Sequence, residues 1–403
     1  MIIQPKIRGF ICTTAHPTGC MQHVLEQIQF AKEQGQLKNG PKKVLIIGAS
    51  TGYGLASRIA AAFGANAKTI GVFFEKEPDS KRTATAGWYN SAAFEQKAQA
   101  AGLYAKSING DAFSDDIKAK TVQLIQQDWQ GEVDLVIYSL ASPRRIHPKT
   151  GKIHNSVLKP IGKPYTSKTV DVMSGKISEV TLQPATEEDI ENTVAVMGGE
   201  DWTMWMEALL AGNCLSKGVK TLAYSYIGPT LTYPIYREGA IGRAKADLET
   251  TAKNLTQKLS ALSGQAFVSV NKALVTQASA AIPVVPLYVS ILYKIMKAKN
   301  CHEGCIEQMV RLFKDRLYAT DKVVVDDKGL IRLDDWEMRT DIQNEISALW
   351  ETINSDNIES LSDLAGYRHE FHKLFGFELP GVDYTQEVDA DVKIPSLASE
   401  VTV

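Results

Sequence analysis

The sequence has few cysteines and almost no net charge, and both shortages restrict what the protein can be. Five cysteines, an odd number, are scattered through 403 residues: Cys12, Cys20, Cys214, Cys301 and Cys305. Such a pattern favours a reducing compartment over a scaffold held by disulfides. The formal net charge of −2 gives no electrostatic reason to expect nucleic acid or an anionic membrane as a partner.

Long hydrophobic runs are also missing. The opening residues, MIIQPKIRGF, contain no sustained apolar stretch, so we expect no secretory signal. The most apolar later run, at 281–296, is too short to span a bilayer and contains Pro283 and Pro286 near its start. We therefore expect a cytoplasmic protein without an integral membrane segment. Because 44% of the residues are hydrophobic, the chain can still bury a large core.

Several catalytic and metal motifs are absent as well. The sequence contains no Walker-type loop, so it offers no P-loop. Two thiols and a histidine occur together in CHEGC (301–305), but no matching second pair of ligands follows. We therefore predict no metal site, and we interpret these thiols as helix-packing groups.

What the sequence does contain is an alternation of strand-like and helix-like segments from Lys42 onward. Continuous apolar runs such as KVLIIG (43–48) and VDLVIYSLA (133–141) are typical of strands buried on both faces of a sheet. Segments with helical spacing separate these runs. This order predicts an α/β fold with a doubly wound parallel sheet of the Rossmann type.

Two segments do not follow that alternation. Residues 142–217 are interpreted as an inserted excursion, and 305–403 as an appended C-terminal lobe with a hairpin at KVVVDDKGLIRL. The core is then expected at about 42–141 and 218–300. Since no linker is flexible enough to separate domains, we predict a single enlarged domain over 1–403.

A glycine-rich turn follows the first predicted strand. The stretch VLIIGASTGYGLASRI places Gly48, Gly52 and Gly54 between a strand and a helix. Glycines there let the backbone approach a pyrophosphate closely, and the helix N-terminus supplies N–H donors. Ser50 and Thr51 offer further donors. The spacing resembles the turn of short-chain dehydrogenases/reductases and favours dinucleotide binding over an ordinary glycine-rich turn.

An acidic residue at the end of the second strand bears on the choice of dinucleotide. Glu75 is placed to accept a hydrogen bond from an adenosine ribose and to repel a 2′-phosphate, which favours NAD(H). Lys76, Lys81 and Arg82 lie nearby and can accommodate a phosphate, or the whole group can be a solvated cluster. Asp111, after the third strand, can reach the adenine amino group or cap a helix.

A tyrosine and a lysine follow the fifth predicted strand, with eight residues between them. Tyr236 is expected beside the nicotinamide and Lys245 on the helix after it. A free phenol has a pKa of about 10, and a nearby ammonium lowers that pKa and can also hold the nicotinamide ribose. Tyr226 can supply a second donor to the same substrate oxygen. The alternative is that the tyrosines only pack and the lysine is solvated.

Many segments together resemble one known family. They are GFICTTAHPTGC, VLIIGASTGYGLASRI, TAGWYNSAAF, GDAFSD, VDLVIYSLASPRR, VMGGEDW, YSYIG, IYREGAIGRAK, VNKALVTQASAAIPVVPLY and DLAGYRHEF. The resemblance is to the trans-2-enoyl-CoA reductase / FabV-type enoyl-acyl-carrier-protein reductase family, and it runs from the N-terminus to about residue 385. It implies NADH-dependent reduction of the double bond of a 2-enoyl thioester in fatty acid metabolism, by a monomer with added elements around a Rossmann core.

The resemblance also implies roles for individual residues. By matched position, Tyr236 is the proton donor, Lys245 contacts the cofactor, and Tyr226 binds the thioester carbonyl. The cofactor site implied in the same way comprises Gly48, Ala49, Ser50, Thr51, Gly52, Tyr53, Phe74, Glu75, Asp111, Ala112, Ser139, Leu140, Leu274, Val275 and Thr276. The apolar run ASAAIPVVPLYVSILYKIM is expected to line an acyl groove, with an ordinary core helix as the alternative.

Two points of function stay open at this level. The carrier of the acyl group can be coenzyme A, which we favour, or acyl carrier protein. Arg144, Arg145 and Lys149 are expected to bind coenzyme A phosphates or to dock an acidic carrier protein. A ketoreductase acting on C=O is the alternative reaction, but no serine stands at the usual offset before Tyr236.

Overall fold

The computed structural model describes residues 1–9 and 11–398, and its centre is a seven-stranded parallel sheet. The strands of the described residues are β1 (Ile7–Arg8), β2 (Ile11–Cys12), β3 (Lys43–Ile47), β4 (Lys68–Phe73), β5 (Ala105–Asn109), β6 (Val133–Tyr138), β7 (Arg144–Ile146), β8 (Ile153–Asn155), β9 (Tyr165–Asp171), β10 (Lys176–Leu182), β11 (Leu215–Ser225), β12 (Gln265–Val270) and β13 (Ile331–Arg332). The sheet has the order β13-β12-β11-β6-β3-β4-β5, and every neighbouring pair in it is parallel.

Helices cover both faces of this sheet. In the same described residues they are α1 (Pro17–Glu33), α2 (Gly52–Ile59), α3 (Ala86–Ala100), α4 (Asp115–Trp129), α5 (Glu187–Met197), α6 (Glu200–Ala211), α7 (Ala240–Lys258), α8 (Val285–Ala298), α9 (Cys305–Arg311), α10 (Thr340–Thr352), α11 (Ile358–Leu361), α12 (Leu364–Lys373) and α13 (Pro395–Ala398). Short π-helical stretches extend α2 through 60–64 and α9 through 312–317. No helix among them combines the length and the apolar character that crossing a membrane requires.

The central strand β3 shows why the sheet is buried on both faces. Val44 and Ile46 belong to one hydrophobic cluster, whereas Leu45 and Ile47 belong to a second, and all four are fully buried. Successive side chains of a strand point to opposite faces, so a continuous apolar run requires a helix layer on each side. The predicted doubly wound α/β fold is therefore confirmed.

The position of the ligand-binding edge follows from the strand order. From β3 the chain continues to β4 on one side, while β6 lies on the other side of β3. The loops after β3 and β6 therefore diverge and leave a crevice at the carboxyl ends of the strands, where open α/β sheets bind ligands. The N–H of Ser139, just after β6, donates to the carbonyl of Ile47 at 2.8 Å and fixes the two loop starts together.

The segment KVVVDDKGLIRL does not form the predicted hairpin. A turn at Asp326–Gly329 is present, but the residues before it lie largely exposed and join no strand. Only β13 forms, and it pairs in parallel with β12 at the edge of the main sheet. Ile331 is buried there, and burial of this apolar side chain outweighs local pairing across the turn. The C-terminal segment thus supplies a strand of the central sheet.

Candidate active site

One cavity of about 1540 Å³ lies at the carboxyl edge of the sheet. It collects most of the residues predicted to bind a dinucleotide or a substrate: Gly48, Ser50, Thr51, Gly52, Tyr53, Phe74, Glu75, Asp111, Ala112, Ser139, Leu140, Tyr226, Tyr236, Lys245, Leu274, Val275 and Thr276 all line it. Ala49 is the exception, because it is fully buried in the core and its N–H donates to the carbonyl of Val72. Its predicted place on the cavity wall is wrong.

The glycine-rich turn is built by close backbone contacts. Gly48 has a φ of +87°, and a Cβ there would stand 2.3 Å from the carbonyl oxygen of Ser139. A Cβ on Gly54 would stand 1.8 Å from the carbonyl oxygen of Gly48. Helix α2 begins at Gly52, and the side chain of Thr51 does not cap it. Its first N–H groups therefore face the cavity as donors for an anionic group such as a diphosphate.

Glu75 is held rigidly at the end of β4. Its N–H donates to Asn109 Oδ1 at 2.8 Å, and its Oε1 accepts from Ser50 Oγ at 2.6 Å. Burial raises the pKa of the carboxyl group, and the hydrogen bond from Ser50 opposes that rise. The nearby Lys81 and Arg82 do not line the cavity, and Arg82 forms an ion pair with Asp79. A fixed acid without a facing cation suits a ribose and disfavours a 2′-phosphate.

The hydrogen bonds of the loop after β5 decide between the two interpretations of Asp111. Ser114 is the residue that caps α4, through a hydrogen bond from the N–H of Ile117 at 3.2 Å. Asp111 instead accepts from the N–H of Phe113 at 3.0 Å and lines the cavity. The helix-cap alternative is therefore wrong, and the carboxylate is available to the cavity.

The motif MGGEDW, for which the sequence suggested no chemical role, contains the buried brace of this loop. Lys118 Nζ donates to Asp201 Oδ1 at 2.8 Å and to the carbonyl of Ala112 at 3.1 Å. Tyr138 donates to the other oxygen of Asp201 at 3.0 Å. Both charged side chains are almost fully buried. Helix α6 therefore holds the Ala112 loop at its place on the cavity wall.

The two predicted catalytic tyrosines meet on the other side of the cavity. The rings of Tyr226 and Tyr236 lie 4.9 Å apart between centroids and are nearly perpendicular, at 86°. Lys245 lies in the second turn of α7, which begins at Ala240, and its Nζ lies 3.4 Å from the carbonyl of Tyr224. One wall thus carries two phenols and one ammonium facing the same space.

The predicted effect of Lys245 on Tyr236 is wrong. Burial raises the pKa of the Tyr236 phenol, and the carboxylate of Glu337 raises it further. Burial also lowers the pKa of Lys245 to about 8. Because the phenol is desolvated and faces a carboxylate, Tyr236 keeps its proton at neutral pH and is suited to donating a hydrogen bond.

Family models match three consecutive parts of the chain. They are described as the NAD(P)H binding domain of trans-2-enoyl-CoA reductase (residues 2–80), the trans-2-enoyl-CoA reductase catalytic region (82–318) and the enoyl reductase FAD binding domain (325–388). The enoyl-[acyl-carrier-protein] reductase [NADH] of Coxiella burnetii is 68% identical over 398 residues, 98% of each chain. The chain belongs to this enoyl reductase family.

Other relatives are named trans-2-enoyl-CoA reductases. The trans-2-enoyl-CoA reductase [NADH] of Ruminiclostridium cellulolyticum is 59% identical over 397 residues, which cover 98% of this enoyl reductase and 100% of the relative. A crystal structure of the Treponema denticola trans-2-enoyl-CoA reductase in complex with NAD superimposes with a TM-score of 0.94 at 49% identity. That likeness covers 98% of this chain and 99% of the other.

The FAD named in the third family description does not fit this enoyl reductase. Within 325–388, Leu364, Tyr367 and Phe371 point into the core, and the cavity touches the segment only at Glu370, Lys373 and Leu374. The segment also has no glycine-rich strand–turn–helix unit of the kind that holds a dinucleotide. We therefore assign no step of the reaction to a flavin.

The apolar run after β12 contributes residues to both the cavity and the core. Ile282, Val285 and Tyr293 line the cavity, whereas Leu287, Ile291 and Leu292 are fully buried in the core. That this run lines an acyl groove stays a prediction. Of the basic residues Arg144, Arg145 and Lys149, Arg145 is buried, and its guanidinium donates to the carboxylate of Glu200 at 2.6 Å. The expected contact of Arg145 with coenzyme A phosphates or with an acidic carrier protein does not fit this buried, paired position.

Sequence reasoning missed two buried polar residues, one that lines the cavity and one that lies behind a cavity tyrosine. Glu337, on the segment after β13, is fully buried and accepts a hydrogen bond from Tyr226. Lys272, just after β12, is buried beside it and lines the cavity, and burial lowers its pKa to about 8. Lys272 lies inside the quoted segment VNKALVTQASAAIPVVPLY, but the sequence assigned it no role, and Glu337 lies in no motif and has partners distant in the chain. Among the described residues, no group of three or more His, Cys, Asp or Glu side chains could hold a metal ion.

Proposed function

We propose that Tyr236, Tyr226 and Lys245 carry out the NADH-dependent reduction of the C2–C3 double bond of trans-2-enoyl thioesters. The observation that supports this assignment is the convergence of the two perpendicular phenols and the ammonium on the cavity that also contains the glycine-rich turn. The reaction class, an NADH-dependent enoyl reduction, is that of the family.

The residues of the other wall fit NADH. The uncapped start of α2 at Gly52 offers N–H donors to the diphosphate, and Glu75 offers a carboxylate to the adenosine ribose. Lys245 is close enough to the end of β11 to donate to the nicotinamide ribose. When bound, NADH supplies the hydride that reaches the β-carbon of the enoyl group.

The tyrosines act on the opposite end of the reacting system. As the double bond is reduced, negative charge develops on the thioester oxygen, which becomes an enolate oxygen. Tyr226 and Tyr236 donate hydrogen bonds to that oxygen, and donors aimed at developing charge lower the barrier selectively. Tyr236, which retains its proton at neutral pH, then supplies the proton that completes the reduction at the α-carbon.

Replacing Tyr236 by Phe tests this assignment. Loss of one donor to a developing oxyanion costs about 10²–10³ in kcat, so Tyr236→Phe is expected to slow NADH oxidation by crotonyl-CoA to that degree. Binding of NADH, followed by protein fluorescence, should be unchanged. Tyr233→Phe, three residues earlier on the same loop, is the matched control and should keep its rate. An unchanged rate in Tyr236→Phe would refute the assignment.

We further propose coenzyme A as the carrier of the acyl group. Arg144 is exposed on the cavity rim and Lys149 is exposed on the same β-hairpin, so both are available to the phosphates of the carrier. A higher kcat/KM with crotonyl-CoA than with crotonyl-acyl carrier protein is expected, and it should fall in Arg144→Ala/Lys149→Ala. A higher kcat/KM with crotonyl-acyl carrier protein would instead identify acyl carrier protein as the carrier. The cytoplasmic location and the monomeric state stay predictions.

A further inference from the structure

The hydroxyl of Tyr226 is already engaged by a buried carboxylate. Glu337 has no exposed surface, and its Oε1 accepts the hydroxyl of Tyr226 at 3.0 Å. The same oxygen accepts the hydroxyl of Tyr288 at 2.6 Å, and Oε2 accepts the N–H of Ala273 at 2.8 Å. Three neutral donors from three different elements thus converge on one carboxyl group.

This arrangement conflicts with the role of Tyr226 in the reaction, because the hydroxyl proton of Tyr226 is already directed at Glu337 instead of the substrate. A phenol has one proton to donate. In this structure Tyr226 donates it to Glu337, whereas the reaction requires donation to the thioester oxygen. If Tyr226 turned its proton to the substrate while Glu337 stayed ionised, two acceptor oxygens would face each other at hydrogen-bond distance in a buried place, which is costly.

The surroundings of Glu337 permit its neutral form. The titratable groups that face it are Tyr226 after β11, Lys272 after β12, Tyr288 on α8 and Asp334 on its own segment, together with Tyr236 across the cavity. Burial raises the pKa of Glu337 above its ordinary value, and Lys272 opposes this rise. Burial therefore shifts this carboxyl group toward its neutral form, in which it can donate a hydrogen bond.

We propose that Glu337 is a positioning residue that sets the direction of the Tyr226 hydrogen bond. In its neutral form the carboxylic acid donates to the oxygen of Tyr226, and the hydroxyl of Tyr226 donates to the thioester oxygen. In its ionised form it accepts from Tyr226 and turns that hydroxyl away from the substrate. Passing from the ionised to the neutral form takes up one proton from solvent before the reaction. During the reaction itself Glu337 keeps that proton, and only the directions of its hydrogen bonds matter. This inference rests on the proposed role of Tyr226.

The pH dependence of kcat follows from this exchange. The productive state carries the proton on Glu337, so kcat is high below the pKa of Glu337 and falls as pH rises through it. Tyr288→Phe removes a donor that stabilises the ionised carboxylate, so it should raise that pKa and move the decline in kcat to higher pH. A residue with a merely structural role would not move the pH profile in this way.

Two substitutions of Glu337 separate the proposal from general damage. A carboxamide donates and accepts like the neutral acid but does not ionise, so Glu337→Gln should keep kcat within about threefold of the low-pH value and abolish the decline with pH. Glu337→Ala removes the group and should lower kcat by about tenfold or more at every pH, with KM for NADH unchanged. Glu345→Gln, the same change at an exposed position on α10, is the control and should behave as the unmodified protein.

A double-mutant cycle decides whether Glu337 acts through Tyr226. In the Tyr226→Phe background, Glu337→Ala should cause no further loss of kcat, because the hydroxyl that it positions is gone. An unchanged kcat in Tyr226→Phe alone would overturn the proposed function of Tyr226. A reduced kcat in Tyr226→Phe together with an additive loss from Glu337→Ala, or a pH decline that persists in Glu337→Gln, would overturn the role of Glu337 only.

Discussion

The two halves of the cavity differ in how the chain builds them. Most of the cofactor half is made by loops that directly follow β3, β4, β5 and β6, so these residues lie next to a strand end in sequence. The substrate half joins residues far apart in the chain: Tyr226 and Glu337 form a hydrogen bond across 111 positions. Local motifs therefore describe the first half well and the second half only in part.

The halves differ in charge as well. Behind the cofactor loop, the carboxylate of Asp201 meets a full positive charge on Lys118 at 2.8 Å. Behind the substrate tyrosines, the carboxyl of Glu337 is held by neutral donors, with Lys272 as a more remote cation. The first arrangement fixes a loop in one place, since breaking the ion pair is expensive. In the second arrangement burial raises the pKa of the carboxyl group, and neutral donors hold it in place.

Breaking the Lys118–Asp201 pair should give the largest effect on stability. Lys118→Met leaves an unpaired, buried carboxylate and should lower the free energy of unfolding by about 3–5 kcal/mol. KM for NADH should rise too, because the Ala112 loop loses its brace. Chemical denaturation measures the first quantity. The double variant Lys118→Met/Asp201→Leu should recover much of the stability, and a loss equal to that of the single variant would contradict this account.

Removing the acid of the cofactor half should change the choice of dinucleotide. Glu75→Ala is expected to shift the ratio of kcat/KM values toward NADPH by about tenfold, or ~1.4 kcal/mol, because a 2′-phosphate no longer meets a carboxylate. Steady-state rates with both dinucleotides measure this ratio. Ser50→Ala, which removes only the donor to Glu75, should shift the ratio less. An unchanged ratio in Glu75→Ala would place the discrimination elsewhere.

The smallest expected effect concerns Lys245 and pH. Burial lowers the pKa of this lysine to about 8, so its ammonium is lost as pH rises through that value. If the ammonium holds the nicotinamide ribose, NADH affinity should fall by about fivefold, or ~1 kcal/mol, across this range. Fluorescence titrations at several pH values measure it. The Lys245→Met variant should bind NADH weakly at every pH. If its NADH affinity still declined as pH rises, the decline would belong to another titrating group.

Prediction from sequence succeeded where the chemistry is local. The buried strands, the glycine-rich turn at Gly48–Gly54 and Glu75 at a strand end each follow from a few consecutive residues. The predicted hairpin near Asp326 was wrong because burial of Ile331 at the sheet edge decided the pairing. Glu337 was missed because a single acid in the turn after β13 has no local signature. Its partners are brought to it by the fold.

The predicted direction of the Tyr236 pKa was wrong for a related reason. Spacing in sequence predicted that a phenol and an ammonium lie near each other, but it did not show how deeply either group is buried. Desolvation and the carboxylate of Glu337 together outweigh any effect of Lys245 on this phenol. The pKa of Tyr236 is thus raised where the sequence predicted that it is lowered, and the phenol stays protonated, which is the form that the proposed proton donor needs.

A crystal structure of the protein with NAD⁺ and a 2-enoyl thioester would test the central claim most directly. The account predicts that the hydroxyl oxygens of Tyr236 and Tyr226 both lie about 2.6–3.2 Å from the thioester oxygen, with the β-carbon facing the nicotinamide ring. The account would be contradicted if NAD⁺ and the thioester both occupied the cavity and neither hydroxyl bound the thioester oxygen.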